Sequence, residues 1–234
     1  MSKDSFTFKQ FSVHQDRCAM KVGTDGTLLG AWTFAPNAEC RILDIGTGTG
    51  LIALMMAQRY PRAFITAIDI DSDACAQAKE NVNNSPYKDR IEVICCDIRD
   101  YESDMFDVIV SNPPYFNNSL ECPDSKRSIA RHSVILGYDA LINSVRHLLK
   151  DNGTFSMIAP TDSVSRIESA AVLSGLFLSR KYNVRTLPDK APKRCLLEFS
   201  KMFPTEIEIR VESIETTPKI KSNWYNNLTK DFYL

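Results

Sequence analysis

The chain has 234 residues, of which 44% are hydrophobic, enough for one large domain with small additions. A formal net charge of −1 excludes a globally basic nucleic-acid binder, so any such contact must come from a local patch. The seven cysteines include no Cys-x-x-Cys pair and no histidine at zinc spacing, and no apolar run reaches the length of a membrane span. With no apolar signal core behind Met1–Asp4, the expectation is a soluble cytoplasmic protein with reduced thiols, no metal site and no obligate protein partner.

Residues 5–13 alternate large apolar and polar side chains, which predicts a half-buried strand or extended arm. Arg17–Val22 is expected to return briefly to the core. A turn at Gly23–Gly26 follows, from which Thr24 or Asp25 would cap a helix running from Thr27 to about Phe34. Strands are then predicted over Arg41–Ile45, Ala63–Ile68, Ile91–Cys95, Phe106–Val110 and Gly153–Ala159. Helices are predicted over Leu51–Tyr60, Asp73–Asn84, Asp139–Leu149 and Ser163–Ser174. This alternation implies an α/β fold with a mainly parallel sheet and helices on both faces. Leu178–Leu187 and Arg194–Met202 are strands with no helix between them, so one of the two should be antiparallel. Glu206–Val211 reads as a further strand, and Trp224–Leu234 as a short amphipathic helix packed on the domain.

Chemistry-bearing residues gather where predicted strands end. Asp44-Ile-Gly46-Thr-Gly48-Thr-Gly50 joins a strand to a helix, and its glycines allow a sharp turn and close approach of a ligand to the helix N-terminus. The dinucleotide fingerprint needs a glycine at position 51, which is Leu, so a ligand without pyrophosphate is favoured. Asp44 would disfavour phosphate and attract an ammonium or sulfonium group. Asp69 stands where a ribose-binding acid is expected, and Asp97 could accept from an adenine amine with Ile70 and Ile98 flanking the ring. Asp71 and Asp73 read as helix caps instead. These positions converge on S-adenosylmethionine as the cofactor.

The run Phe106–Tyr115 carries the acceptor half. Val108, Ile109 and Val110 make a strand covered on both faces, and it opens into Asn112-Pro113-Pro114-Tyr115. Asn112 brings a carboxamide, the two prolines stiffen the turn, and Tyr115 offers a flat ring, a set suited to clamping a planar amine. Between Arg180 and Lys201 seven basic residues stand against two acidic ones, and Lys126, Arg127, Arg131 and His132 follow the clamp. Arg185, Lys193 and Arg194, with Lys126, Arg127 and Arg131, are the expected phosphate contacts. His14 and His147 have no evident partner and read as ordinary core or surface histidines.

The set Asp44-x-Gly-x-Gly-x-Gly, Asp69, Asp97 and Asn112-Pro-Pro-Tyr115 resembles the motifs of class I S-adenosylmethionine-dependent methyltransferases that modify planar amino groups. Phe6-Thr-Phe-Lys-Gln-Phe11 and Asp16-Arg-Cys-Ala-Met-Lys-Val-Gly-Thr-Asp-Gly26 are similar to the N-terminal signature of bacterial tRNA(Val) adenine-N6 methyltransferases, which modify adenine 37. Leu28–Trp32, Glu80–Pro86 and Leu228–Leu234 fit the same family. The resemblance implies a Rossmann-like, seven-stranded methyltransferase sheet with a reversed last strand, and tRNA as the partner. It further implies that Lys21, Thr24 and Asp25 lie over the cofactor. The chain would then divide into an arm and capping helix (1–38), a methyltransferase core (39–203) and a C-terminal strand and helix (204–234). Two other acceptors suit the same clamp, a protein glutamine amide and a DNA adenine. The N-terminal signature and the basic cluster argue for RNA.

Overall fold

The computed structural model describes residues 4–18, 21–36, 38–114 and 137–233. At its centre is an eight-stranded sheet. The strands are β3 (Cys40–Ile45), β4 (Ala63–Asp69), β5 (Ile91–Cys95), β6 (Phe106–Ser111), β7 (Leu149–Pro160), β8 (Phe177–Arg185), β9 (Arg194–Ser200) and β10 (Glu208–Ser213), in the spatial order β10-β8-β9-β7-β6-β3-β4-β5. The pairs β7–β6, β6–β3, β3–β4 and β4–β5 are parallel. β9 runs antiparallel to both neighbours, as expected of a reversed last strand. The departure from seven strands is β10, drawn from the C-terminal addition, which pairs in parallel with β8 at the edge.

Burial on both faces explains the unbroken apolar runs. In β3, Ile42 and Leu43 are both fully buried yet belong to different core clusters, one on each side of the sheet. One cluster gathers the helices α1 (Thr24–Trp32) and α2 (Leu51–Arg59). The other gathers α4 (Tyr138–Leu148) and α5 (Val164–Leu173). The twelve residues of α3 (Ser72–Asn83) follow Asp71, whose carboxylate accepts from the backbone N–H groups of Asp73 and Ala74, so it is the cap the sequence predicts.

The N-terminal arm forms a hairpin, β1 (Ser5–Thr7) with β2 (Ser12–His14), and buries Phe8, Phe11 and Val13. Side chains of α3 hold it. Asn81 accepts from the His14 N–H (2.8 Å) and donates to the His14 carbonyl (2.8 Å), while Gln77 accepts from the Arg17 N–H (3.0 Å). Arg17 is exposed and tethered by its backbone, while Val22 is half-buried and packs against the core, so among the described residues of this stretch the expected return to the core is made at Val22. The next helix also differs. It starts at Thr24, three residues early, behind Gly23, and neither Thr24 nor Asp25 is its cap.

The arm meets the chain's other end. Lys9 donates its backbone N–H to the Phe232 carbonyl (2.8 Å) and its Nζ to that of Lys230 (2.6 Å). Phe8 stacks on Tyr233, which in turn stacks on Tyr225 of α6 (Asn223–Thr229).

Candidate active site

The carboxyl ends of the parallel strands open into a cavity of about 600 Å³, a size suited to a small-molecule cofactor. Its wall includes Lys21, Thr24, Asp25, Gly46, Gly48, Asp69, Ile70, Asp97, Ile98, Asn112, Pro113, Pro114 and Arg194. Two of the predicted cofactor residues, Asp44 and Gly50, are not on that wall. Tyr115, Lys126, Arg127 and Arg131 fall outside the described residues.

The glycine loop is left-handed at three positions, with φ of +71° at Gly46, +56° at Gly48 and +80° at Gly50. A Cβ at Gly46 or Gly48 would meet nothing within 4 Å, so this backbone is open to a ligand. At Gly50 it would come into ordinary contact with Ala78 of α3 (3.4 Å), so the left-handed φ rather than lack of room is what requires that glycine. Asn81 of α3 also donates to the Thr49 carbonyl (2.8 Å), so one buried carboxamide braces the loop and the arm together.

Asp44 holds the loop from behind. It is wholly buried, and its Oδ2 accepts from Thr47 Oγ1 (2.7 Å) and from the Ala53 N–H (3.2 Å). Burial pushes its carboxyl up to about 7, against the two hydrogen bonds that lower it. Its Oδ1 has no partner among the described residues. The expectation that Asp44 faces the ligand is therefore corrected: it acts from beneath the loop.

Asp69 bridges outward from the end of β4. Its Oδ2 accepts from the Gly48 N–H (2.8 Å) and its Oδ1 from the Asp71 N–H (3.0 Å), leaving a second lone pair on each oxygen. Asp97 is engaged by its neighbour: the Arg99 guanidinium and backbone N–H bond it, holding its carboxyl below the usual range. Ile98 is buried beside it, but Ile70 is about half exposed (47%).

Asn112 follows β6, where Ser111 Oγ donates to the Ile45 carbonyl (3.0 Å) and locks that strand to β3. The Asn112 Oδ1 is buried and has no partner among the described residues, an acceptor held ready on the cavity wall.

The basic cluster at 180–201 is not one surface. Because side chains alternate along a strand, Arg180 lies over Trp32 (3.8 Å) and pairs with Glu198 (2.7 Å), while Lys181 reaches Glu168 of α5 (2.8 Å). Lys190 and Lys201 pair with Asp189 and Asp151, and Arg185 bonds Ser213. Lys193 stays exposed, and Arg194 turns into the cavity to meet Asp25 at 2.5 Å. The sequence carried no sign of that inward turn; the only trace is that Arg194 opens the predicted strand. Thr47, Cys18 and Cys96, which also line the cavity, were not singled out either.

Residues 20–178 match the family model described as methyltransferase small domain. A tRNA1(Val) (adenine(37)-N6)-methyltransferase of Bacteroides thetaiotaomicron is 52% identical over 100% of this chain and 99% of its own. The chain belongs to that family. A relative of the same name from Phocaeicola vulgatus is also 52% identical, again over 100% of this chain and 99% of its own. Among solved structures, a predicted O-methyltransferase from Agrobacterium tumefaciens superposes with a TM-score of 0.71 at 19% identity, covering 89% of this chain and 96% of that one, which shows the fold. The enzyme is a methyltransferase and its cofactor is S-adenosyl-L-methionine. The residues present fit that group: an open glycine backbone at Gly46 and Gly48, and a carboxylate with spare lone pairs at Asp69 on the cavity wall. No helix among the described residues is long and apolar enough to cross a membrane.

Proposed function

We propose that this chain methylates the N6 amine of adenine 37 in tRNA1(Val), in the cytoplasm, and that Asn112 and Pro113 are the residues that hold the amine. The observation that carries the reading is full-length identity of 52% to a relative bearing that name. Bound S-adenosyl-L-methionine supplies an electrophilic methyl carbon on a cationic sulfur. The glycine loop, Asp69, and Asp97 with Ile98 hold that cofactor, with Lys21, Thr24 and Asp25 above it and Asp44 supporting the loop.

An exocyclic adenine amine is a poor nucleophile because its lone pair is delocalised into the ring. The vacant Asn112 Oδ1 and the Pro113 carbonyl each accept one N–H, which draws the nitrogen toward a pyramidal geometry and frees the lone pair. Pro113 and Pro114 keep the clamp stiff, so little entropy is lost when the base is held. Tyr115 stacks on the base, and Lys126, Arg127 and Arg131 meet phosphates beyond it. Rate acceleration comes mainly from alignment at about 3–3.5 Å, and the surplus proton passes to water. A base in an anticodon loop is already unpaired, which keeps its extrusion inexpensive.

The test is to incubate the protein with labelled S-adenosylmethionine and total tRNA, digest to nucleosides and map the product. N6-methyladenosine at position 37 of tRNA1(Val) is expected. Label in a release-factor glutamine or in DNA, with none in tRNA, overturns the reading. The role of Asp69 has its own test. Replacing Asp69 by Ala should weaken cofactor binding by about 1.5–3 kcal/mol, and unchanged affinity by calorimetry removes Asp69 from the ribose.

A further inference from the structure

In the sheet order β8-β9-β7-β6-β3-β4-β5, β4, which ends at Asp69, and β5, which leads to Asp97, lie on one side of β6, which leads to Asn112. Arg194, the first residue of β9, lies on the other side, two strands beyond β6, yet lines the same cavity. By strand order it stands on the acceptor side of the cavity. Its footing is firm, since the Lys193 N–H donates to the Val184 carbonyl (3.1 Å) and the Lys193 carbonyl accepts from the Thr161 N–H (3.3 Å). Its guanidinium meets Asp25 in the first turn of α1, and the two side chains are only 23% and 20% exposed. Burial raises the Asp25 carboxyl even against the lowering effect of Arg194, so this carboxylate sits there at a cost. The next residue of the same turn, Gly26, packs toward the clamp: a Cβ there would stand 3.1 Å from Leu51 Cδ2 and 4.0 Å from Asn112 Nδ2. One helical turn thus pairs with the arginine and passes close to Asn112 of the clamp.

We infer that Asp25 is a placeholder anion on Arg194, and that the arginine receives the backbone phosphodiester beside the target nucleotide when that phosphate displaces Asp25. A guanidinium keeps its charge at all working pH values and matches a phosphate through a planar fork of donors. Without substrate, a half-buried cation needs a partner, and Asp25 provides one. The exchange leaves Arg194 compensated in both states and favours acceptors that bring a phosphate. The cofactor's carboxylate offers a similar anion, but Arg194 stands on the side of Asn112 away from Asp69 and Asp97. The inference rests on the tRNA reading above.

The test measures kcat and KM for tRNA at several salt concentrations, and cofactor affinity by calorimetry, on the full chain. Arg194→Ala should raise KM for tRNA roughly 10- to 100-fold, with the log–log salt slope shallower by about 0.7 and cofactor affinity kept. Asp25→Asn should move KM the opposite way, downward, because the competing anion is gone. The exchanged pair, Asp25→Arg with Arg194→Asp, rebuilds the ion pair and with it the fold, but should leave KM raised. A purely structural strap would instead shift both single variants in one direction and be repaired by the exchange, and that pattern overturns the inference. Loss of cofactor affinity in Arg194→Ala overturns it too, assigning the arginine to the cofactor's carboxylate. Methylation with an unmoved KM overturns this inference alone, whereas no tRNA methylation by the unaltered protein overturns the tRNA reading and this inference with it.

Discussion

Replacing Asn112 by Ala is expected to lower kcat by roughly 10²–10³ while S-adenosylmethionine still binds. The carboxamide is the acceptor that distinguishes the reacting amine from the rest of the base, and its Oδ1 is buried with no partner among the described residues. The hydrogen bond to an incoming N–H is therefore made without breaking another. Alanine leaves the stiff turn of Pro113 and Pro114 in place, so the ring still enters but its amine is not aligned. Single-turnover methylation, with calorimetry for the cofactor, separates the two steps. A variant with near-normal turnover would remove Asn112 from the chemistry.

The cofactor-free protein should lose stability as pH rises from about 4 to about 7. Unfolded, the Asp44 carboxyl ionises at its ordinary value of 3.8; folded, burial lifts it to about 7. Between those values the unfolded chain binds fewer protons than the native one, so unfolding becomes easier with rising pH. The stability this group adds is fully present below the lower value and is lost by the upper one, up to about 4 kcal/mol. Asp44→Asn should flatten the difference between denaturant unfolding curves at the two ends of that window. A cationic ligand above the loop favours the ionised form, so cofactor affinity should tighten over the same interval. A parallel pH dependence in wild type and variant would show that Asp44 is already ionised in the fold.

The strand and helix succession was legible because its physical signs are local: β-branched runs, glycine at turns, Asp71 before a helix. Asp69, Asn112 and the open glycines were legible for a related reason, since in an open α/β sheet the ends of parallel strands converge on one crevice. What was hidden depends on the direction of side chains across distance. Asp44 reads as a ligand because a carboxylate before glycines is visible, while its complete burial beneath Thr47 and Ala53 is not. The basic run from Arg180 to Lys201 reads as a patch, yet strand alternation sends Arg180 and Lys181 to opposite faces and into separate ion pairs. The early start of α1 escaped for want of a side-chain cap, since Gly23 precedes it.

The joining of residues 8–9 to residues 230–233 bears on synthesis as much as on stability. The arm that leads into α1, and so into Thr24 and Asp25 at the cavity, docks partly on atoms of Lys230, Phe232 and Tyr233. During translation those docking partners are made long after the arm itself. The arm cannot take up this docked position until residues 230–233 have left the exit tunnel, so the segment that leads to Thr24 and Asp25 gains its full support later than the strands that carry the glycine loop and Asn112.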